Sequence, residues 1–247
     1  MKRNVALVAM VLACLLVGTS AFAVVIGNVR PVTIGASGEP PLFFDGRAGL
    51  LDALADPTQL SADYFVPNNT LFGATQANFT LGFRFAGNSN AISMYNLNNT
   101  AEQLMIFQGS DPAYNTNGTI GLPTLSQVTF TQNISGAWNV VSPYGSNTFD
   151  TPAFGFLLNS AGTVFYGDDF LNTNNEAHML VFKGIGQSTN GYWFAFEDLA
   201  FASSDRDYND VVFYGESIQP VPEPGTMMLL GSGLVGLAGW GRKKFRK

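Results

Sequence analysis

From Asn78 to Phe85 the chain alternates: Phe79, Leu81, Phe83 and Phe85 fall on one side, Asn78, Thr80, Gly82 and Arg84 on the other. A period of two is what a half-buried strand needs, and a helix cannot keep it. Further short β-prone runs follow at Leu104 to Phe107, Val128 to Thr131, Phe154 to Leu158, Thr163 to Tyr166, Met179 to Phe182, Tyr192 to Phe196 and Val211 to Tyr214. Turn residues such as Asn117-Gly118 and Asn190-Gly191 separate them. Only Arg47 to Leu54 has helical spacing, enough for about two turns. About eight to twelve short strands without helices between them predict an all-β fold, an antiparallel, jelly-roll-like β-sandwich over residues 24–219. The 21 phenylalanines and 27 glycines suit aromatic strands joined by glycine turns.

Charge is unevenly placed. Residues 24–221 carry seventeen acidic side chains against five basic ones, a net −12, whereas seven of the twelve basic residues lie at the two ends. Such a body repels a phosphate backbone, which excludes nucleic acid as a partner and favours cations. At the N-terminus, Lys2 and Arg3 precede the apolar stretch Val5 to Val17 and the small-residue site Ala21-Phe22-Ala23. This is the pattern of a signal peptide, residues 1–23, read by signal peptidase. The single cysteine, Cys14, falls inside it, so the mature chain is expected to have no disulfide and no thiolate chemistry.

The C-terminus has three parts in order. Pro222, Glu223 and Pro224 interrupt regular structure within residues 220–225. The apolar, glycine-rich stretch Thr226 to Gly241 follows, then the basic cluster Arg242 to Lys247. Sixteen residues of helix span roughly 24 Å, a little short of a ~30 Å hydrocarbon core. Residues 226–247 therefore read as a membrane helix with a basic tail on the cytoplasmic side. Together these parts resemble the PEP-CTERM sorting signal of Gram-negative bacteria. The resemblance implies a transient inner-membrane stage, an exosortase that recognises Pro222-Glu223-Pro224, and delivery to the cell surface or beyond. It also implies an exopolysaccharide-producing, biofilm-forming host.

Within the body, acidic residues concentrate late. Glu197 and Asp198 end a strand, and Asp205, Asp207, Asn209 and Asp210 follow closely. Carboxylates this dense repel one another unless solvated or bridged by a cation, and calcium accepts six to eight oxygens in flexible geometry. Zinc would need nitrogen or sulfur ligands that are scarce here. An EF-hand is excluded, because its sixth position requires Gly and is Asp210, and a strand follows instead of a helix. Adjacent strand residues point oppositely, so only one of Glu197 and Asp198 is expected to join such a site.

Phe196-Glu197-Asp198-Leu199, the run Ser204 to Asp210 and the strand Val211-Val212-Phe213 resemble the DUF4114 domain, over about residues 150–216. That family is β-rich and occurs in surface and secreted proteins, and the resemblance implies calcium as the cofactor. Three readings of the loop stay open: a calcium site, a polar turn in which Asp207 and Asn209 bond backbone amides, and a catalytic site. The one histidine, His178, reads as a hydrogen bonder at a strand edge; no Gly-x-Ser-x-Gly elbow accompanies it. Trp138, Tyr144 and Trp193 fit either sugar stacking or the sandwich core. The sequence thus points to a non-enzymatic, exosortase-sorted surface or matrix protein with a calcium-stabilised β domain, structural or adhesive in role. The alternative is a carbohydrate-binding module attached to the host exopolysaccharide.

Overall fold

The computed structural model describes residues 39–43, 47–68 and 74–221. The signal peptide, the Pro222-Glu223-Pro224 motif and the segment 226–247 lie outside the described residues, among which no helix is long and apolar enough to cross a membrane. In chain order the strands are β1 (Ala55–Gln59), β2 (Tyr64–Pro67), β3 (Ala74–Arg84), β4 (Asn90–Asn96), β5 (Asn99–Phe107), β6 (Asn115–Thr116), β7 (Thr119–Ile120), β8 (Leu125–Gln132), β9 (Trp138–Ser142), β10 (Gly145–Phe149), β11 (Phe154–Ser160), β12 (Thr163–Tyr166), β13 (Met179–Gly184), β14 (Gly191–Phe196), β15 (Val211–Glu216) and β16 (Ile218–Pro220).

They make two sheets. The larger is ordered β1-β13-β14-β15-β3-β8-β9-β10, with the β6–β7 hairpin beside β3; the smaller is ordered β16-β2-β11-β4-β5, with β12 on β11. Pairing is antiparallel apart from the short contact of β6 with β3. This is the all-β sandwich expected from the alternation. Strands are more numerous than the alternation suggested, because β4, β9 and β10 carry asparagines and serines that read as turn residues. Asn90 and Asn96, at the two ends of β4, are nonetheless fully buried.

Phenylalanine fills the space between the sheets. Phe194 and Phe213 stack with centroids 4.9 Å apart and planes 16° apart, and Phe156 of the facing sheet meets them edge-on at 4.7 and 5.2 Å. A second apolar cluster lies on the outer face of the larger sheet. There Leu180, Phe182, Trp193 and Val212 are covered by Leu42, Leu51 and Tyr208. Strands β13 to β15 are therefore buried on both faces, which explains unbroken runs such as Trp193-Phe194-Ala195-Phe196.

Two local expectations are corrected. Phe79, Leu81, Phe83 and Phe85 do not share one face: Phe79 and Leu81 enter the inner core, Phe83 and Phe85 the outer one. The register slips between Phe213↔Leu81 and Val212↔Phe83, leaving Gly82 as the extra residue of a bulge. A bulge inverts the alternation beyond it, so Arg84 turns inward and is buried. A side chain at Gly82 would also meet the Trp193 ring at 2.8 Å. The second correction concerns Arg47 to Leu54, which forms a turn and no α-helix. Leu54 N and Ala55 N both donate to Leu51 O, after which the chain enters β1.

Candidate metal centre

Strands β14 and β15 pair as far as Phe196↔Val211, so residues 197–210 form the loop of that hairpin. Its neck is fastened where Asp198 N donates to Asp210 Oδ2 at 2.9 Å and Glu197 N donates to His178 O at 3.0 Å. Further along, Arg206 and Tyr208 take left-handed backbone angles, with φ of 61° and 60°. Non-glycine residues adopt this region only when their surroundings hold them there. Tyr208 is held by burial in the outer core and by its hydroxyl, which donates to Ala177 O at 2.7 Å. The Arg206 guanidinium lies 4.4 Å above the Phe201 ring. Phe85 N, just past the bulged strand, reaches the carbonyls of Asn209 and Asp210 at 3.3 and 3.2 Å.

The sequence-predicted acidic residues divide into two groups. Carboxylate oxygens of Glu197, Asp198 and Asp210 lie within 4.8 Å of one another, and those of Asp205 and Asp207 do so with Glu39. Glu197 and Asp198 thus bring their carboxylates to one place, contrary to the strand-alternation argument. They stand beyond the last residue of β14, where the pleat no longer dictates direction.

The first group is the more demanding. Glu197 and Asp198 are 1% and 3% exposed. Glu197 Oε1 accepts from Leu199 N at 3.4 Å, but Oε2 is buried with no partner among the described residues. Asp198 Oδ2 accepts from Asn90 Nδ2 at 2.8 Å and from Asn88 Nδ2 at 3.3 Å. Burial pushes the Glu197 carboxyl up to about 7 against hydrogen bonding from Ser204 and Leu199 N, with Asp205 and Asp207 adding to the rise. Burial also raises Asp210, to about 9, and the nearby Glu197 and Asp198 charges raise it further. The charges that act on these two groups are acidic, so each resists ionisation in the folded chain.

The second group differs. Asp205 is exposed and Asp207 is 1% exposed. Both Asp207 oxygens are already engaged by Asn209, from its N at 3.2 Å and its Nδ2 at 2.7 Å. Asn209 Nδ2 also donates to Pro40 O at 3.1 Å, which ties the loop to the 39–43 segment. Here Asp207 and Asn209 are joined in a polar turn, while the carboxylates of Glu197, Asp198 and Asp210 gather apart from it. Sequence reasoning missed Glu39, Asn88 and Asn90. Only the Gly87-Asn88-Ser89-Asn90 turn hinted at the last two, and Glu39 carried no local signal.

His178 sits immediately before β13 with Nδ1 3.1 Å from Glu197 O and Nε2 3.4 Å from Glu176 Oε2. It is stacked on Phe165 at 4.1 Å, and burial lowers its basicity. It is the strand-edge hydrogen bonder expected.

The two family comparisons bear on this geometry. Residues 135–217 match DUF4114, a domain of unknown function. Residues 220–243 match the PEP-CTERM protein-sorting motif. Both resemblances read from the sequence are thereby matched, and the DUF4114 segment extends upstream to include β9. No curated protein and no solved structure matches the chain. The DUF4114 segment contains Glu197, Asp198 and Asp210, whereas Asn88 and Asn90 lie outside it. The sorting match supports an exported, exosortase-sorted protein, and it begins within β16, where Pro220 pairs with Phe65 of β2.

Proposed function

We propose that the chain is a non-enzymatic protein of the cell surface or extracellular matrix, structural or adhesive in role, whose β-sandwich is closed at one end by calcium. One observation carries the calcium reading: Glu197 Oε2 is buried with no hydrogen-bond partner among the described residues, beside the carboxylates of Asp198 and Asp210. Burying a charge without a partner is costly, and a hard divalent ion supplies one. The donors are all oxygen, which fits calcium and not zinc. Bound there, the ion would be held by Glu197, Asp198 and Asp210, and it would neutralise charges that otherwise oppose folding. Export proceeds through signal peptidase and a transient inner-membrane stage, ending with exosortase.

The carbohydrate-module reading draws less support. Trp138 and Trp193 are buried in the two cores, and the Tyr144 hydroxyl donates to Asp111 Oδ2 at 2.5 Å. Two of the three aromatics named for sugar stacking are therefore core residues.

The sorting half of the proposal is tested by changing Pro222 and Pro224 to Ala. Cell fractionation and immunoblotting should then find the protein unprocessed in the membrane fraction. Release of a shortened product at the wild-type level would contradict the assignment of Pro222-Glu223-Pro224 as the recognition motif.

A further inference from the structure

Beside the three carboxylates stands an amide that the loop itself does not supply. Asn90 begins β4 in the smaller sheet, whereas Glu197, Asp198 and Asp210 flank a hairpin of the larger one. Its side chain is fully buried, and its Nδ2 donates to Asp198 Oδ2 at 2.8 Å. Its Oδ1 is buried with no hydrogen-bond partner among the described residues. An amide oxygen left so is unusual, since nearly all buried polar atoms are paired. The backbone around it is fixed as well. Arg84, turned inward by the Gly82 bulge, donates to Asn90 O and Gln108 O, both at 3.3 Å, and to the carbonyls of Gly109 and Asp111 at 2.8 and 2.7 Å.

We infer that Asn90 is a fourth protein ligand of the cation, giving it the amide oxygen, so that the ion joins the two sheets and not merely the two ends of one loop. This rests on the calcium reading above. The amide nitrogen and oxygen share one carbon, so contact of Nδ2 with Asp198 keeps Oδ1 within the span of a calcium shell, whose oxygens stand about 2.3–2.6 Å from the ion. Calcium takes neutral amide oxygens alongside carboxylates, and three carboxylates with one amide make an all-oxygen, hard-donor set. Asn88 provides a natural contrast. It also donates to Asp198, at 3.3 Å, but it is only half-buried and its Nδ2 is shared with Ser160 Oγ at 3.0 Å.

Calorimetric titration of the full chain in detergent with calcium chloride separates a ligand from a mere hydrogen-bond donor. Asn90→Ala should weaken calcium binding about tenfold or more, in the range seen when groups around a metal are removed. Asn90→Asp, which replaces the amide oxygen by a carboxylate oxygen, should tighten binding. Asn88→Asp, which adds the same charge nearby, should tighten it much less. Far-UV circular dichroism checks folding, and Asn90→Gln replaces any variant that fails it, with weaker binding again expected from the displaced oxygen. Wild-type affinity in Asn90→Ala, or equal tightening by Asn88→Asp and Asn90→Asp, would overturn the assignment while leaving the calcium site intact. An absence of calcium binding to the wild-type chain would overturn both.

Discussion

The hairpin β14–β15 shows two kinds of burial a few residues apart. Midway along it, Phe194 and Phe213 stack at 4.9 Å inside a layer of phenylalanines. At its tip, Glu197, Asp198 and Asp210 are gathered within 4.8 Å, and an oxygen of Glu197 has no hydrogen-bond partner among the described residues. Packed rings are complete in themselves, since dispersion and water exclusion need nothing further. Buried carboxylates are less complete, because their charge has lost water and their few amide and backbone donors are set against acidic neighbours. The difference teaches that the aromatic layer is self-sufficient, whereas the acidic tip, under the function proposed above, depends on an outside ion.

The largest expected effect lies in the aromatic half. Phe194→Ala removes a ring from the centre of the stack and should cost about 3–5 kcal/mol by denaturant unfolding. The loss should be the same with and without calcium, because the deleted contacts belong to the core alone. A loss that changed with calcium would show the two regions to be energetically inseparable.

A smaller effect separates the regions by pH. Glu197 is raised to about 7 and Asp210 to about 9, whereas both would ionise in the ordinary carboxylate range once unfolded. Groups raised in the folded state stabilise it below the unfolded value and cease to do so as pH rises through the folded one. Calcium-free protein should accordingly lose stability from about pH 5 toward pH 9, near the ordinary carboxylate values at the start and above Glu197 at the end. Calcium should flatten the decline, since it favours the ionised form, and Phe194→Ala should leave the slope unchanged. Urea denaturation across this pH range checks the sign; a stability that rises with pH in EDTA would be the opposite outcome.

The legibility of the two regions differs for a physical reason. Apolar alternation is local, so Phe79, Phe154 to Leu158, Tyr192 to Phe196 and Val211 to Tyr214 announced their strands from sequence. What local pattern cannot show is a register slip, and the Gly82 bulge sent Phe83 outward and Arg84 inward against the alternation. The acidic site was legible as a concentration of charge, but its partition was not. Asp207 turned to Asn209, leaving Asp210 to join Glu197 and Asp198 across the hairpin neck. Asn90 is more than a hundred residues from Asp198 in sequence, and only the packing of the sheets places them 2.8 Å apart through Nδ2 and Oδ2.

The central claim, that an ion completes the acidic tip, is tested most directly by thermal unfolding of the full chain after EDTA treatment. At a tenfold excess over its Kd, calcium bound only to the folded state adds about 1.4 kcal/mol. For a chain of this size that raises Tm by roughly 3–6 °C. Millimolar calcium is the right concentration, because extracellular sites bind at about 0.1–1 mM. The account predicts this rise for the wild type, little change with sodium at equal ionic strength, and almost none in Asp210→Asn, which keeps an acceptor for Asp198 N but loses the charge. An identical Tm with and without millimolar calcium would contradict it, and the loop would then be a polar turn that carries its own buried charge.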